Sequence, residues 1–325
     1  MILLRLLKNN RAGGIFFIGF LMVLLWINAF LDPVEPRSWT AMPFYEAIFG
    51  SLEERPLASA IVAFVFYLLL SVLLVRLNAR YFLIRDRSYM PAAMFLLIAG
   101  AIPELQQTNP LLVGSLFFLV SINILFDSQD DRPDSYRIFN AALVLGAGSL
   151  FYAPLVWFIP LLWLTIMVIR PIRWREWLYP LVAFGLVGLF IFTYYWVFRD
   201  DPHALGRLLR ENLAIRGSLD RSHPEWAFFF GFLLFLIFRA SIYILRRYQV
   251  RKIYIRKLYQ VFFFMFVFSL VFYFFIARFR IEVTYFFAIP VAYLLSNYLH
   301  QRRNHWTHEA LLWIWVGFAA YLHLA

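Results

Sequence analysis

Long apolar runs alternate with short charged segments along this chain. The runs are 15 to 21 residues long and are continuous, without the apolar–polar alternation of half-exposed strands. A helix needs roughly 20 apolar residues to cross a hydrocarbon core of about 30 Å. The pattern therefore predicts an all-α fold, a polytopic transmembrane helical bundle with about 11 spans in a single integral membrane domain over residues 1–325. We place the spans at about 13–31, 58–75, 88–103, 111–126, 138–152, 154–169, 178–198, 226–245, 258–277, 284–299 and 307–324.

The middle of the chain leaves two interpretations open. The region 139–169 is interrupted by Pro154 and Pro160, and its first half is short for a crossing. It is either two tilted helices or a broken, re-entrant pair, which membranes tolerate when the irregular backbone is buried in protein.

The charges indicate an orientation. Of the 30 Lys and Arg residues, 20 fall in the segments that lie inside if the N-terminus is cytoplasmic, and nine fall in the outer segments. Cytoplasmic loops of membrane proteins carry such an excess. We therefore predict a multi-pass membrane protein with a cytoplasmic N-terminus. The same rule explains the net charge of +11 better than a nucleic-acid partner does. Membrane lipids are the expected partners, and a membrane protein partner stays open.

Composition excludes several kinds of chemistry. The chain is 63% hydrophobic and has no cysteine, and its mean hydropathy is +0.71. Thiolate nucleophiles and cysteine-ligated metals are excluded. No Walker, zincin or Ser-His-Asp pattern is present, so we expect no cofactor and no metal site. His300, His305 and His308 lie near one helix end, and we interpret them as interfacial polar residues.

Two larger outer loops, at 32–57 and 199–225, are expected to contain interfacial helices. The first loop has an apolar stretch at 42–49. The second has an amphipathic stretch at 204–215, with charged residues on its polar side. Such helices usually lie in the headgroup region.

Charged residues of the outer loops are the candidate functional groups. Two arginines at a membrane surface can bind a lipid phosphate through charge-assisted hydrogen bonds, and a nearby carboxylate can act as a general base. We therefore predict Arg278 and Arg280 as phosphate-binding residues, and Glu46 and Glu104 as catalytic residues. Ordinary loop charge is the alternative interpretation.

An acidic segment at 127–134 contains two adjacent aspartates, two further residues and a third aspartate. In prenyl-transferring enzymes such a pattern holds Mg²⁺ on a diphosphate, since Mg²⁺ prefers oxygen ligands. Those enzymes use a second acidic motif on the same side, and this chain has none. A solvated acidic turn is the favoured interpretation.

Around Arg170-Pro171-Ile172-Arg173-Trp174-Arg175-Glu176-Trp177 the chain resembles an uncharacterised multi-pass membrane protein family of the Bacteroidota, a domain of unknown function. Where that family often has Phe-Asp-Ala-Gly, this chain has Phe139-Asn140-Ala141-Ala142. Some members are labelled β-carotene monooxygenases, but such enzymes need a four-histidine iron site in a soluble propeller, which this sequence does not have. Further matching stretches are Arg76–Arg80, Ser88–Pro91, Ile102–Glu104, Asn109–Pro110, Gly146–Pro154 and Ile289–Pro290.

A weaker, architectural resemblance is to polyprenyl-phosphate-sugar-dependent membrane glycosyltransferases. It is carried by Pro103, by the small-residue helix that leads to Pro154, and by the basic residues from Arg170. The resemblance implies a bacterial cytoplasmic (inner) membrane protein of cell-envelope biogenesis that acts on a polyprenyl-phosphate-linked sugar, with an outer-loop carboxylate as base. The alternatives are a non-catalytic membrane scaffold or partner subunit and a lipid or small-molecule transporter. Only Arg239, Asn123 and the proline-broken centre are typical of a transporter.

Overall fold

The computed structural model describes residues 11–34, 42–84, 88–129, 136–171, 173–198, 202–213, 224–246, 252–277, 280–300 and 305–323. These residues form helices and turns and include no strand, as the apolar pattern predicts. The α-helices are α1 (Arg11–Leu31), α2 (Pro43–Phe49), α3 (Pro56–Tyr81), α4 (Met90–Ala99), α5 (Pro110–Phe126), α6 (Tyr136–Ser149), α7 (Ile159–Ile169), α8 (Trp174–Phe198), α9 (Pro202–Leu213), α10 (Pro224–Arg246), α11 (Ile253–Val271), α12 (Thr284–Leu299) and α13 (His305–Leu322).

Proline marks many of the helix starts. Its ring fixes φ near the helical value, and its missing N–H would have no partner in a first turn. The helices α2, α3, α5, α9 and α10 all begin at a proline. Their starts therefore follow from local sequence.

Four helices are long and apolar enough to span a membrane by length and composition: Ala12–Leu31, Pro56–Tyr81, Trp174–Val197 and Ile253–Ile276. Large apolar side chains are exposed on their outer faces; Phe16 is 74% exposed and Leu189 is 65% exposed. Soluble monomers rarely expose such continuous apolar surface. These features are typical of a membrane protein.

Two helices form the centre of the bundle. Every residue of α4 and of α12 is buried, and the two helices pack against each other. The helices α1, α3 and α13 pack around α4, while α5, α10 and α11 pack around α12. A helix that is apolar on all sides is buried in the core, so these two helices have no lipid-facing side.

One end of the bundle, here called the basic end, is held together by charged residues at helix ends. Arg80 of α3 forms an ion pair of 2.8 Å with Asp127, which follows α5. Arg137 of α6 donates to the Asp127 carbonyl. The Lys257 ammonium of α11 lies 2.9 Å from the carbonyl oxygen of Ile169, the last residue of α7, and so caps that helix.

The opposite end, here called the polar end, joins the other helix ends through amides and hydroxyls. Asn28 of α1 donates to the carbonyl of His323, which follows α13. Tyr45 of α2 donates to the carbonyl of Thr108, which precedes α5. The chain therefore returns to this end after α1, α4 and α13.

The predicted span at 88–103 differs in the structure. Its helix, α4, has ten residues, which at 1.5 Å per residue is about 15 Å, roughly half of a hydrocarbon core. The chain then turns through a 3₁₀ helix at Pro103–Leu105, and residues 105–109 are buried. The segment 104–110, predicted as an outer loop, is for the most part inside the bundle.

The region 139–169 forms two helices with a break between them. After α6 the chain turns and continues through a 3₁₀ helix at Ala153–Phe158 into α7. The break lies near the polar end, because the Phe151 ring contacts the rings of Phe44 and Phe49 on α2. This arrangement favours the interpretation as two helices.

Close contact between α5 and α6 depends on a glycine. A Cβ atom at Gly148 would lie 2.7 Å from Cβ of Phe117 and 2.8 Å from Cδ1 of Leu155. Such distances are shorter than van der Waals contact, so a larger residue would push the helices apart. The small residues at 145–149 therefore allow close packing.

Candidate functional site

A buried polar segment connects α4 with α5 at the polar end, and we call residues 103–109 the polar loop. Gln106, Gln107, Thr108 and Asn109 of this segment are all buried. Irregular backbone inside an apolar bundle requires partners for its N–H and C=O groups, because an unsatisfied group costs several kcal/mol there. The neighbours of the polar loop provide these partners.

Three tyrosines donate hydrogen bonds to carbonyls in and beside the polar loop. The Tyr67 hydroxyl lies 2.9 Å from the Ala99 carbonyl oxygen, and the Tyr45 hydroxyl lies 3.0 Å from that of Thr108. Tyr285 donates to the carbonyl of Leu105. Burial raises the pKa of the Tyr45 hydroxyl, and the Glu53 carboxylate raises it further, so Tyr45 remains a hydrogen-bond donor.

The amide of Gln106 connects α1 with the ends of α4 and α13. Its Nε2 lies 2.8 Å from the Leu25 carbonyl oxygen of α1 and 2.9 Å from that of Gly100, just after α4. The same atom lies 3.5 Å from Nε2 of His323, just after α13. On another side of the polar loop, Thr108 donates two hydrogen bonds to Ser59 of α3. Its backbone N–H donates to the Ser59 hydroxyl oxygen at 2.9 Å, and its hydroxyl donates to the Ser59 carbonyl oxygen at 2.7 Å.

Asn109 caps α5 and connects it with α12. Its side-chain oxygen accepts a hydrogen bond of 2.8 Å from the backbone N–H of Leu112, which satisfies one of the unpaired donors in the first turn. Its amide nitrogen lies 3.1 Å from the Tyr285 hydroxyl. Asn109 is fully buried, so both hydrogen bonds are shielded from water.

A charged group lies at the same end, between the segment that follows α11 and the start of α12. Arg280 precedes a 3₁₀ helix at Ile281–Val283, in which Glu282 is buried. Both residues lie within electrostatic range of Tyr152. Glu282 also interacts with Tyr285. We call Tyr152, Arg280 and Glu282 the tyrosine–arginine site.

The hydroxyl of Tyr152 is buried, and no hydrogen-bond partner for it is found in the described part of the chain. The residue is 6% exposed, and its ring stacks on Phe286 of α12 with a centroid distance of 6.2 Å. Burial of a hydroxyl without a partner costs about 1–3 kcal/mol. Other buried side-chain atoms in the described part of the chain share this property, among them the Trp26 indole N–H and the Ser71 hydroxyl. The Tyr152 hydroxyl therefore differs from them by its place near Arg280 and Glu282, and not by the missing partner alone.

A π-helix at Phe272–Ile276 extends α11 toward this site. Such segments are rare and are frequent at functional sites, since they re-aim side chains within a helix. Tyr273 of the π-helix interacts with Glu282. Phe274 and Phe275, on the same turn, are 50% and 79% exposed, so an apolar surface lies only a few residues from Arg280.

The structure places Glu46, Glu104 and Arg280 at the polar end but does not bury them equally. Glu46 is exposed on α2, and Glu104 is half-buried in the polar loop. Arg280 is half-buried in the tyrosine–arginine site. Arg278 lies outside the described residues.

Sequence reasoning did not select Tyr152 or Glu282 as site residues. The sequence does place Glu282 beside Arg278 and Arg280 in one short outer loop, but its charge alone does not distinguish it from the other loop carboxylates. Tyr152 is one of 18 tyrosines and has no distinguishing sequence signal. Its place near Arg280 results from the packing of the segment that follows α6 against α5 and α12.

The acidic segment and the histidines occupy other positions. Asp127 is bound by Arg80 and by the Tyr81 hydroxyl, which is a structural arrangement; Asp130, Asp131 and Asp134 lie outside the described residues. At the same end, the rings of His308 and Tyr298 have a centroid distance of 4.7 Å. Within the described ranges, no group of three or more His, Asp or Glu residues could hold a metal ion.

Comparison of the chain with protein-family models, with curated proteins and with solved structures finds no match. The two resemblances drawn from sequence motifs therefore stay expectations. The function has to be argued from the polar loop and the tyrosine–arginine site.

Proposed function

We propose that this protein is an eleven-span inner-membrane protein of cell-envelope biogenesis that acts on a polyprenyl-phosphate-linked sugar, in the manner of a membrane glycosyltransferase. The polar end would face outward and the basic end would face the cytoplasm. The proposal is supported chiefly by one observation: the buried Tyr152 hydroxyl has no hydrogen-bond partner among the described residues and lies within electrostatic range of Arg280 and Glu282.

The orientation is supported by the charges at the basic end. Exposed basic residues lie at or near the ends of several helices there, as expected for a cytoplasmic face. The described residues of the polar end carry charges of both signs, with Glu46, Glu53, Glu54 and Glu211 beside Arg55, Arg207 and Arg210. Apart from Arg239 within α10, the exposed basic residues that the structure describes at the basic end are Arg76, Arg80, Arg173, Arg175, Arg246 and Lys252.

The orientation can be tested by labelling, because the chain has no cysteine. We expect Lys252→Cys to be protected from a membrane-impermeant thiol reagent in intact spheroplasts, and to be labelled after the membrane is opened. The matched variant Ser51→Cys, which is exposed at the polar end, should be labelled in intact spheroplasts. If Lys252→Cys is labelled in intact spheroplasts and Ser51→Cys is not, the orientation is the opposite of the one proposed.

The tyrosine–arginine site fits the phosphate of a lipid-linked donor. An arginine binds phosphate through its planar fork of N–H groups, and the hydroxyl of Tyr152 can donate to a phosphate oxygen. The exposed Phe274 and Phe275 offer an apolar surface to the isoprenoid chain. Glu282 would hold Arg280 in place, because opposite charges attract strongly in partly buried surroundings.

In the transfer step, an acceptor hydroxyl attacks the anomeric carbon of the sugar. A new C–O bond forms, and the bond between that carbon and the phosphate oxygen breaks. Glu104 or Glu46 accepts the proton of the hydroxyl as general base. Arg280 stabilises the negative charge on the departing polyprenyl phosphate. No metal is needed in this scheme.

A non-catalytic scaffold is the second candidate. It is favoured by the hydrogen bonds of the polar loop, since Gln106, Thr108 and Asn109 all bond to other groups of the protein. Such a set of bonds stabilises a fold and leaves little for a substrate.

Deletion of the gene and complementation with single variants separate these two functions. We expect deletion to change the glycan composition of the cell envelope and the wild-type gene to restore it. Glu104→Gln or Glu46→Gln, whichever is the base, should fail to restore it, because the acceptor hydroxyl then loses its proton acceptor. The matched control is Glu54→Gln, which removes an exposed carboxylate at the same end and should restore the profile.

Protein levels in the membrane are measured for each variant. An unchanged glycan profile after deletion would argue against any role in glycan transfer. If deletion alters the profile but both carboxylate variants restore it, the scaffold is the correct function.

A further inference from the structure

An arginine within an apolar helix is the feature of the basic end that the proposed function does not use. Arg239 lies on α10, seven residues before the end of that helix at Arg246, or about 10 Å along its axis. Its side chain is exposed, and its helix neighbours Phe238 and Ile242 are exposed apolar residues. A charge at the bilayer centre costs about 2.5–3.5 kcal/mol on insertion scales, and less where a long side chain reaches toward the headgroups. An anionic partner at this depth would therefore stabilise the charge.

Two aromatic rings hold the guanidinium group. Its central carbon lies 5.9 Å from the ring centroid of Phe235 and 5.8 Å from that of Tyr298. Tyr298 is a buried residue of α12, and its ring also packs against Tyr243 and His308. The rings that hold Arg239 therefore belong to a packed part of the bundle, which pre-organises the arginine.

The hydrogen-bonding capacity of Arg239 is not used within the described part of the chain. No ion pair or hydrogen bond joins it to a described residue; its contacts there are the two ring contacts. A guanidinium has five N–H donors and stays charged. Aromatic rings are weak hydrogen-bond acceptors, so these N–H donors remain available for an anionic acceptor.

We propose that Arg239 binds the phosphate of an anionic phospholipid in the leaflet at the basic end. The exposed apolar side chains along α10, which include Leu234 and Phe238, would contact the acyl chains of the same lipid. The exposed Arg246 at the end of the same helix adds positive charge, which favours a lipid with a net negative headgroup. This inference depends on the membrane location of the chain and is independent of glycan transfer.

The test uses the full-length protein in a non-ionic detergent, with bound lipids counted by native mass spectrometry. Phosphatidylglycerol is the anionic probe, phosphatidylcholine is the zwitterionic probe, and inorganic phosphate is the probe without acyl chains. We expect the wild-type protein to prefer phosphatidylglycerol. Arg239→Gln should lower this affinity about tenfold, which corresponds to the loss of one charge-assisted contact.

Two further variants complete the design. Arg239→Lys retains the charge but lacks the planar guanidinium group that contacts the two rings, so we expect an intermediate affinity. Arg76→Gln removes an exposed arginine at the same end for which no aromatic contact is found among the described residues, and it should bind as the wild type does.

The inference is overturned if Arg239→Gln binds phosphatidylglycerol as tightly as Arg76→Gln does. It is equally overturned if inorganic phosphate or phosphatidylcholine binds as well as phosphatidylglycerol to the wild-type protein. If Arg239→Gln does not fold, Arg239→Lys decides the question, and wild-type affinity in that variant counts against the site.

Discussion

Asn109→Leu is expected to lower the free energy of unfolding by about 3 kcal/mol, through the loss of a helix cap and of a buried hydrogen bond. The wild-type amide caps α5 at Leu112 and contacts the Tyr285 hydroxyl of α12. Leucine satisfies neither group, and the site is fully buried, so water cannot replace the lost bonds. Denaturant unfolding in detergent, followed by tryptophan fluorescence, measures the change.

Two control variants separate the contributions. Asn109→Ser retains a cap acceptor but not the bond to Tyr285, so it should lose only about 1 kcal/mol. Asn212→Leu removes an amide that bonds within α9 to the Leu208 carbonyl at 3.0 Å, and it should change stability by less than about 0.5 kcal/mol. If Asn109→Leu is as stable as Asn212→Leu, the polar loop does not contribute to stability in the way described here.

Arg280→Gln is expected to weaken the binding of a short isoprenyl phosphate about 100-fold, or about 3 kcal/mol. Glutamine retains some hydrogen-bonding capacity but carries no charge, so the phosphate loses its charged partner. Isothermal titration of farnesyl phosphate into the purified full-length protein measures the effect. Farnesol has no phosphate, and its weaker binding should be the same in both proteins.

The matched control is Arg210→Gln on α9, an exposed arginine at the polar end, which should bind farnesyl phosphate as the wild type does. Tyr152→Phe is a companion variant with a distinctive signature. It removes a buried hydroxyl for which no partner is found among the described residues, so we expect unchanged or higher stability together with about tenfold weaker binding. Equal binding by Arg280→Gln and Arg210→Gln would exclude the tyrosine–arginine site as a phosphate site.

Local sequence predicted most helix positions. The apolar runs correspond to helices within a few residues at α1, α5 and α12. A continuous apolar segment in lipid has to pair its backbone N–H and C=O groups within itself, and a helix does this. The structure also has helices at α2 and α9, where short stretches of the two larger loops are amphipathic or begin with proline. These signals act over one or two helical turns, so they can be read from the chain alone.

The polar loop could not be predicted in this way. Between two apolar runs, the segment from Pro103 to Asn109 has the composition of an ordinary exposed loop, and hydropathy places it outside the membrane. Its burial depends on partners that are distant in sequence: Ser59 is 49 residues from Thr108, and Tyr285 is 176 residues from Asn109. No local pattern indicates those contacts.

The amino-acid sequence by itself determined that this chain is helical, that it is typical of a membrane protein, and where most helices begin, because each of these depends on local apolarity and on proline positions. Only the tertiary structure decided which polar residues are buried together. Tyr152 lies near Arg280 and Glu282 because α5, α12 and the segment after α6 pack side by side. The polar loop can be buried because helices distant in sequence provide partners for its polar groups, without which burial in an apolar bundle would be costly.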